Sequence, residues 1–562
     1  MAEIVPWLCA VIALPLTGWT STVNCSDADL LLKNAHIITM DAAHSVAVSM
    51  AVRDGRIQAV GDASHVAQCA SERTAVVDLD GKTVLPGLID IHTHAIQWTK
   101  GILVGMVDAS YPEVKSIPEV LTAVADRVAK SKPSEWIFGS SWDDAKLAEK
   151  RYITRHDLDS VSPNNPVVLI HESGHLLVAN SMALKLAGIT RDTIAPQGGV
   201  IERDGSGQLT GVVKDSAMVV FLQFMPSATT EQLEQAAKLA SEKAAEVGLT
   251  TIHDIEPIEL LRGYQDALAK QELQIRVQFA PIINSIAEAE KLSAMSLHTG
   301  FGNEHLKIGA VKMFADGGMG ARTIAIYPPG VIGEPDNFGV LRWKPEEMQR
   351  AQMIMANAGW QIETHAIGDR AIDETLDSYS AVMQKLGLHD PRFRIVHCGI
   401  STPQIQKRLK ELHVLVDGNP PFVYWIGSWF EKYGLDRVRW SYPAKSYIDN
   451  GIIEAAGSDV FVTPISPWWG IWAAVVRREM ASGQVLAPEE RISVEQALTL
   501  YTRNGAYVGF EERDKGSLEP GKLADFIVVD RDVLHVPAEE LKNVKVLRTY
   551  VGGKLIYKND AN

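Results

Sequence analysis

At 562 residues, with 46% hydrophobic and 22% charged residues, the chain has material for a large core and for more than one domain, although barrels alone run large. A formal net charge of −15 argues against nucleic acid or an anionic membrane surface as the main partner. Cys9, Cys25, Cys69 and Cys398 make no CxxC signature and no disulfide framework, so stability is expected to come from the core.

Residues 1–26 read as a signal or lipoprotein leader, or as an ordinary N-terminal tail. The apolar run at 4–16 has signal-peptide length and is too short to span a bilayer, which takes roughly 20 residues. Glu3 stands where a leader carries lysine or arginine. Cys25-Ser26-Asp27 resembles the start of a mature bacterial lipoprotein, but TVNC lacks the usual leucine and small residues. Export or lipid anchoring is expected over a cytoplasmic location, with membrane contact only through such an anchor.

Residues 28–85 alternate short apolar runs with turn signals at Asp54-Gly55 and Asp80-Gly81. Residues 516–562 answer in kind, with a turn at Gly552-Gly553. Together they predict a small composite β-sandwich built from both chain ends. Between them, 86–515 alternates strands and helices, the pattern of a parallel sheet with crossover helices. Eight strands are expected at 87–94, 248–255, 273–282, 306–316, 359–369, 393–400, 413–420 and 451–459. The fold class is α/β, a (β/α)8 barrel of TIM type. Its one irregularity is residues 100–247, a large insertion after the first strand placed to act as a lid.

His92 and His94, two apart at the end of the first strand, point the same way and can share a metal ion. Strand four supplies Lys312, a cation among buried apolar neighbours; strand five supplies His365, strand six His397 and strand eight Asp459. All stand at the strand ends where barrel enzymes keep their active sites. Seven tryptophans, Trp98, Trp142, Trp425, Trp429, Trp468, Trp469 and Trp472, fall in the expected loops or the insertion, where they line a pocket or pack lid on barrel.

The HxH after PGLID, VKMFADGG, HAIGDRA, VHCG and GSD together resemble the metal-dependent amidohydrolase superfamily, and within it the YtcJ-like branch (amidohydrolase family 3). The resemblance runs from about residue 28 to 560. It implies that His92, His94 and Asp459 bind one divalent ion, most often zinc, and that His365 and His397 bind a second ion or contact substrate. Lys312 is either N6-carboxylated, bridging two ions, or a neutral amine beside one. The implied reaction is hydrolysis of an amide-type C–N bond in a small organic substrate by metal-activated hydroxide, with Asp459 as general base and then acid. The same site could instead cleave an ester, carbamate or cyclic amidine, and a non-catalytic relative is the remaining alternative. Trp98, His175, Arg322 and Tyr327 are the substrate-binding candidates. Asp316 and Asp369 read as turn residues that orient ligands, and His253 as a core histidine. Two phrases depart from the family pattern: Gly418-Asn419-Pro420-Pro421 replaces a glutamine-proline pair, and VVKDSAM brings Lys214 and Asp215. Both are read as substrate-side changes. The chain is expected to act as a dimer or other homo-oligomer on a small molecule.

Overall fold

The computed structural model describes residues 25–559. The leader at 4–16 lies outside the described residues. Among the described residues no helix is long and apolar enough to cross a membrane.

All eight expected central strands form. Leu88–Thr93, Leu249–Glu256, Arg276–Pro281 and Leu306–Ile308 pair in parallel, and so do Val311–Phe314, Ile362–Ala366, Arg394–His397, Leu415–Gly418 and Glu454–Ala456. The fourth strand is therefore broken in two at Gly309-Ala310. Two parallel bridges, Ile282 to Lys312 and Thr93 to Val460, join these runs at both seams. The result is an α/β arrangement of TIM-barrel type. Leu249–Glu256, Arg276–Pro281, Ile362–Ala366 and Arg394–His397 are buried along their whole length, as parallel strands covered on both faces must be.

The covering helices follow from local signals. Thr229 caps Thr230–Glu246 in a reciprocal box with Gln232, and Ala236, Ala237, Ala240 and Ala244 line the buried face. Pro345 opens Pro345–Asn357, and Gly359 ends it at φ +84°.

Thr230–Glu246 packs into the same core as Leu249 and Ile252, so it belongs with the central strands rather than with the insertion. The inserted segment's own six-stranded sheet runs from Val107–Asp108 to Leu209–Asp215. Strands from both chain ends make up two further sheets. One holds Leu30–Lys33, Ser49–Arg53, Arg56–Gly61 and Ala75–Asp78; the other places Phe526–Val529 against Thr83–Pro86. A shared core that includes Leu32, Met50, Val84 and Phe526 lies between them. The buried pair Arg276–Asp525, at 2.7 Å, fastens the third central strand to this unit.

One feature runs against the sequence reading. Cys25 and Cys69 form a disulfide beside Ala28, Leu31 and Val66, leaving Cys398 as the free thiol among the described residues. Pairing was not legible because the two cysteines are 44 residues apart and only the strand pairing of 30–33 with 75–78 brings them together. A Cys25 used in this way has no sulfur left for a lipid thioether.

Candidate metal centre

Five imidazoles form a continuous chain at the strand ends: His94, His92, His397, His365 and His175, with successive ring centroids 5.6, 5.0, 4.7 and 4.9 Å apart. Asp459 closes the group, its Oδ1 lying 3.5 Å from His92 Nε2 and 3.4 Å from His94 Nε2. His92, His397 and Asp459 offer ligand atoms within 4.8 Å of one another. This tight trio crosses the division expected from sequence, which put His397 with the other ion.

The backbone is arranged around these side chains. Asp90 accepts from the backbone N–H of both His92 and Ser458, and Asp459 N–H donates to His92 O at 2.7 Å, so the first and eighth strand ends are tied together. His397 and Asp459 both sit at positive φ, +68° and +56°. Such non-glycine backbone costs about 1–3 kcal/mol per residue and persists where the surroundings hold it. Asp316 accepts from the N–H groups of Ala325, Ile367 and Gly368, fixing the turn after strand four against the one after strand five.

Most rings have one nitrogen tied to the protein. His94 Nδ1 donates to Ile255 O at 2.6 Å, His365 Nε2 to Gly317 O at 3.0 Å, and His397 Nδ1 to Asn419 Oδ1 at 2.6 Å. Each keeps its other nitrogen as a lone pair, and a hydrogen bond on the far nitrogen is the usual way to hold a metal-ligating imidazole. Burial, reinforced by neighbouring positive groups, pushes His92, His94, His365 and His397 well below their ordinary pKa, His94 to about 3. They are neutral, the form that ligates. Burial lifts Asp459 to about 8, against the pull of Lys312.

Lys312 is completely buried, and its Nζ makes no hydrogen bond. Burial lowers its pKa, while Glu363, Asp417 and Asp459 act the other way. His92 Nδ1 and both Asp417 oxygens are likewise buried without hydrogen bonds, 3.5 Å apart at the nearest. Buried polar atoms are rarely left this way. Imidazole lone pairs, a carboxylate and an orphaned amine facing one another fit a divalent ion, and imidazole with carboxylate suits zinc, manganese, iron or nickel.

Asn419 corrects the sequence reading. It holds His397 and donates to Gly457 O, so this departure from the family pattern bears on a ligand-type histidine rather than on substrate. Asp215 similarly receives His175 Nδ1 at 2.7 Å, and Lys214 pairs with Glu202. Asp417, Glu363 and Arg394 were not singled out in sequence. Their signal was available: charged residues alternating with apolar ones inside buried strands.

Of the substrate candidates, His175 lines a small cavity of about 20 Å³ with His365, His397 and Asp459. Trp98 lines a second cavity of about 580 Å³ beside it. Arg322 and Tyr327 line neither. Arg322 is paired with Glu334 at 2.7 Å and stacks over Tyr152, and Tyr327 is 45% exposed, its N–H held by Asp369. His253 is buried beside Gly509 and joins none of the site's ring contacts. Trp425 lines the large cavity and Trp429 the small one. Trp142, Trp468 and Trp472 are core residues, and Trp469 stacks on Tyr424.

A second cluster, Asp143, Asp144 and His171, also brings ligand atoms together. Here protein cations balance the charge. Lys146 pairs with Glu172 and Asp143, Arg322 lies 3.8 Å from Asp144, and the aspartates overcome burial to raise His171 to about 9. Offset in this way, the cluster is a tie between the insertion and Trp429, whose indole N–H donates to Asp143.

A parallel α/β fold of TIM-barrel type carrying histidines and an aspartate at its strand ends defines a metal-dependent hydrolase. The amidohydrolase family model matches residues 75–557, and the chain belongs to that family. Protein LONG AFTER FAR-RED 3 of Arabidopsis thaliana is 34% identical over 94% of this chain and 92% of its own length. The N-substituted formamide deformylase of Arthrobacter pascens is 31% identical over 94% of this chain and 98% of its own. The crystal structure of an uncharacterized metal-dependent hydrolase from Pyrococcus horikoshii OT3, 27% identical, superposes with a TM-score of 0.72 over 91% of this chain and 99% of that one.

Proposed function

We propose that the protein hydrolyses amide-type C–N bonds of small organic substrates. The observation that carries this reading is the convergence of His92, His94, His365, His397, Asp459 and Lys312 on one buried cluster. The A. pascens relative, by its name a deformylase of N-substituted formamides, supports an amide over the ester, carbamate or cyclic amidine that the same site could take.

His92, His94, His397 and Asp459 would hold a divalent ion, zinc suiting the donor set, with His365 and Lys312 completing a second position. When bound, the metal polarises the substrate carbonyl and lowers the pKa of water from 15.7 to about 7. Asp459 takes a proton from water and delivers it to the departing nitrogen. Its buried position, between two imidazoles and within the small cavity, suits that exchange. The orphaned Lys312 amine is the group for carboxylation: a neutral amine adds carbon dioxide, loses a proton and replaces a costly buried cation by an anionic ligand.

In this reading residues 86–515 are the catalytic barrel with its inserted lid, and 28–85 with 516–562 form the companion β-unit. The Cys25–Cys69 bond supports export, since disulfides persist in oxidising compartments.

Lys312 and Asp459 variants test the site. Asp459→Asn should lower kcat by about 10²–10⁴-fold with metal still bound. Lys312→Ala should lose metal and regain it, with part of the rate, when a small carboxylic acid is added. Full metal content and rate in Lys312→Ala would remove the carbamate from the account.

A further inference from the structure

Tyr442 lines the small cavity together with Ser173, His175, His365, His397 and Asp459. At about 20 Å³ this space holds one water-sized group, the size of the single oxygen that an acyl carbonyl would bring. Most side-chain protons on its walls are already committed. His175 Nδ1 donates to Asp215, His365 Nε2 to Gly317 O and His397 Nδ1 to Asn419, while the Trp429 indole N–H goes to Asp143. Ser173 Oγ is engaged by His171 Nδ1 at 2.9 Å. Tyr442 differs: it is buried, and among the described residues its phenol O–H has no hydrogen-bond partner. Buried polar groups are seldom left so.

The ring is held in place from its backbone outward. Tyr442 N–H donates to Gly399 O at 3.1 Å, and the buried Arg477 donates to Tyr442 O at 2.8 Å and to Ser441 O at 3.0 Å. These bonds keep Tyr442 at φ +51°, a left-handed backbone that a tyrosine adopts only where its surroundings impose it. Phe422 packs edge-on to the ring at 5.7 Å and Phe430 stacks on it at 5.5 Å, so its direction is set. A Cβ on Gly399 would lie 3.4 Å from the phenol oxygen, which puts that oxygen at the exit of strand six, just beyond His397.

Resting on the amide reading above, we propose that Tyr442 is a catalytic residue whose phenol O–H donates to the carbonyl oxygen of the bound substrate and to the oxyanion that this oxygen becomes. The water oxygen bonds to the carbonyl carbon, the C=O π pair moves onto oxygen, and Tyr442 holds the resulting anion. As that pair returns, the C–N bond breaks and the nitrogen takes the water proton carried by Asp459. Tyr442 keeps its own proton throughout, as a phenol does at neutral pH. A donor fixed in advance contributes more to the transition state than to the ground state, because an oxyanion accepts more strongly than a neutral carbonyl.

Tyr442→Phe tests this, since it removes the phenol oxygen and keeps the ring between Phe422 and Phe430. Three quantities are read on the metal-loaded protein: metal bound per chain, kcat on N-formyl and N-acyl amines, and the calorimetric affinity of acetohydroxamic acid, a small probe whose carbonyl oxygen can accept the same hydrogen bond. Metal content should stay the same, kcat should fall about 10²–10³-fold, and the probe should weaken about fivefold, its oxygen carrying less charge than the oxyanion. Loss of metal in the variant would make Tyr442 a support of the metal centre and overturn the assignment. A kcat within about threefold of wild type, or unchanged probe binding, would overturn it as well. No hydrolysis of any amide by wild type, with the probe weakened in the variant, overturns the amide reading and upholds Tyr442 as the donor to a bound carbonyl.

Discussion

Asn419 ties His397 at 2.6 Å and Gly457 at 3.0 Å, so one amide holds a ring from strand six against the loop that carries Asp459. Asn419→Ala frees that ring without touching the metal ligands. It should weaken metal binding by about 10–100-fold with the far-ultraviolet dichroism unchanged, read by chelator competition. His171 makes a different kind of prediction. Its folded pKa is raised to about 9 from an ordinary 6.5 by Asp143 and Asp144, against burial. A raised pKa contributes stability that is fully present below about 6.5 and is lost as pH climbs through about 9. Melting temperatures between pH 6.5 and 10 should therefore fall by several degrees more in wild type than in His171→Gln. Parallel curves would mean His171 is neutral.

Between strand four and its turn, the glycines in DGG are spacers for the site. A Cβ on Gly318 would come within 2.6 Å of His175, and one on Gly317 within 2.1 Å of the Thr323 hydroxyl. Gly318→Ala should displace His175 from the small cavity and cost about 1–3 kcal/mol by overpacking, visible as a lower denaturant midpoint together with a loss of rate. At this scale the sequence was most legible. Short apolar runs alternating with helical patterns located every central strand, and His92, His365, His397 and Asp459 stand at or just beyond the ends of those strands. The break of strand four at Gly309-Ala310 was not legible, because Leu306 to Phe314 reads as one apolar run and only pairing with two different neighbours divides it. Arg322 and Tyr327 came from family-like loop phrases, and in the structure they line neither cavity, Arg322 pairing with Glu334 and the Tyr327 N–H donating to Asp369.

Across the whole molecule, long-range closure decides what local pattern leaves open. The Cys25–Cys69 bond joins residues 44 apart, and closing a loop of that length in the unfolded chain is worth about 4 kcal/mol by chain entropy. Reduction, or Cys69→Ser, should lower the melting temperature measurably while leaving the rate per folded molecule unchanged, since the bond lies in the companion β-unit. A loss of rate in step with reduction would mean that this unit supports the site directly. The central claim is metal-dependent hydrolysis of amides at the histidine–aspartate cluster. Its most direct test is metal content of the purified protein, with activity on N-formyl and N-acyl amines before and after chelation. The account predicts about one or two divalent ions per chain, loss of activity on chelation and recovery on adding zinc. Fewer than about half an ion per chain, with activity that survives chelation, would contradict it.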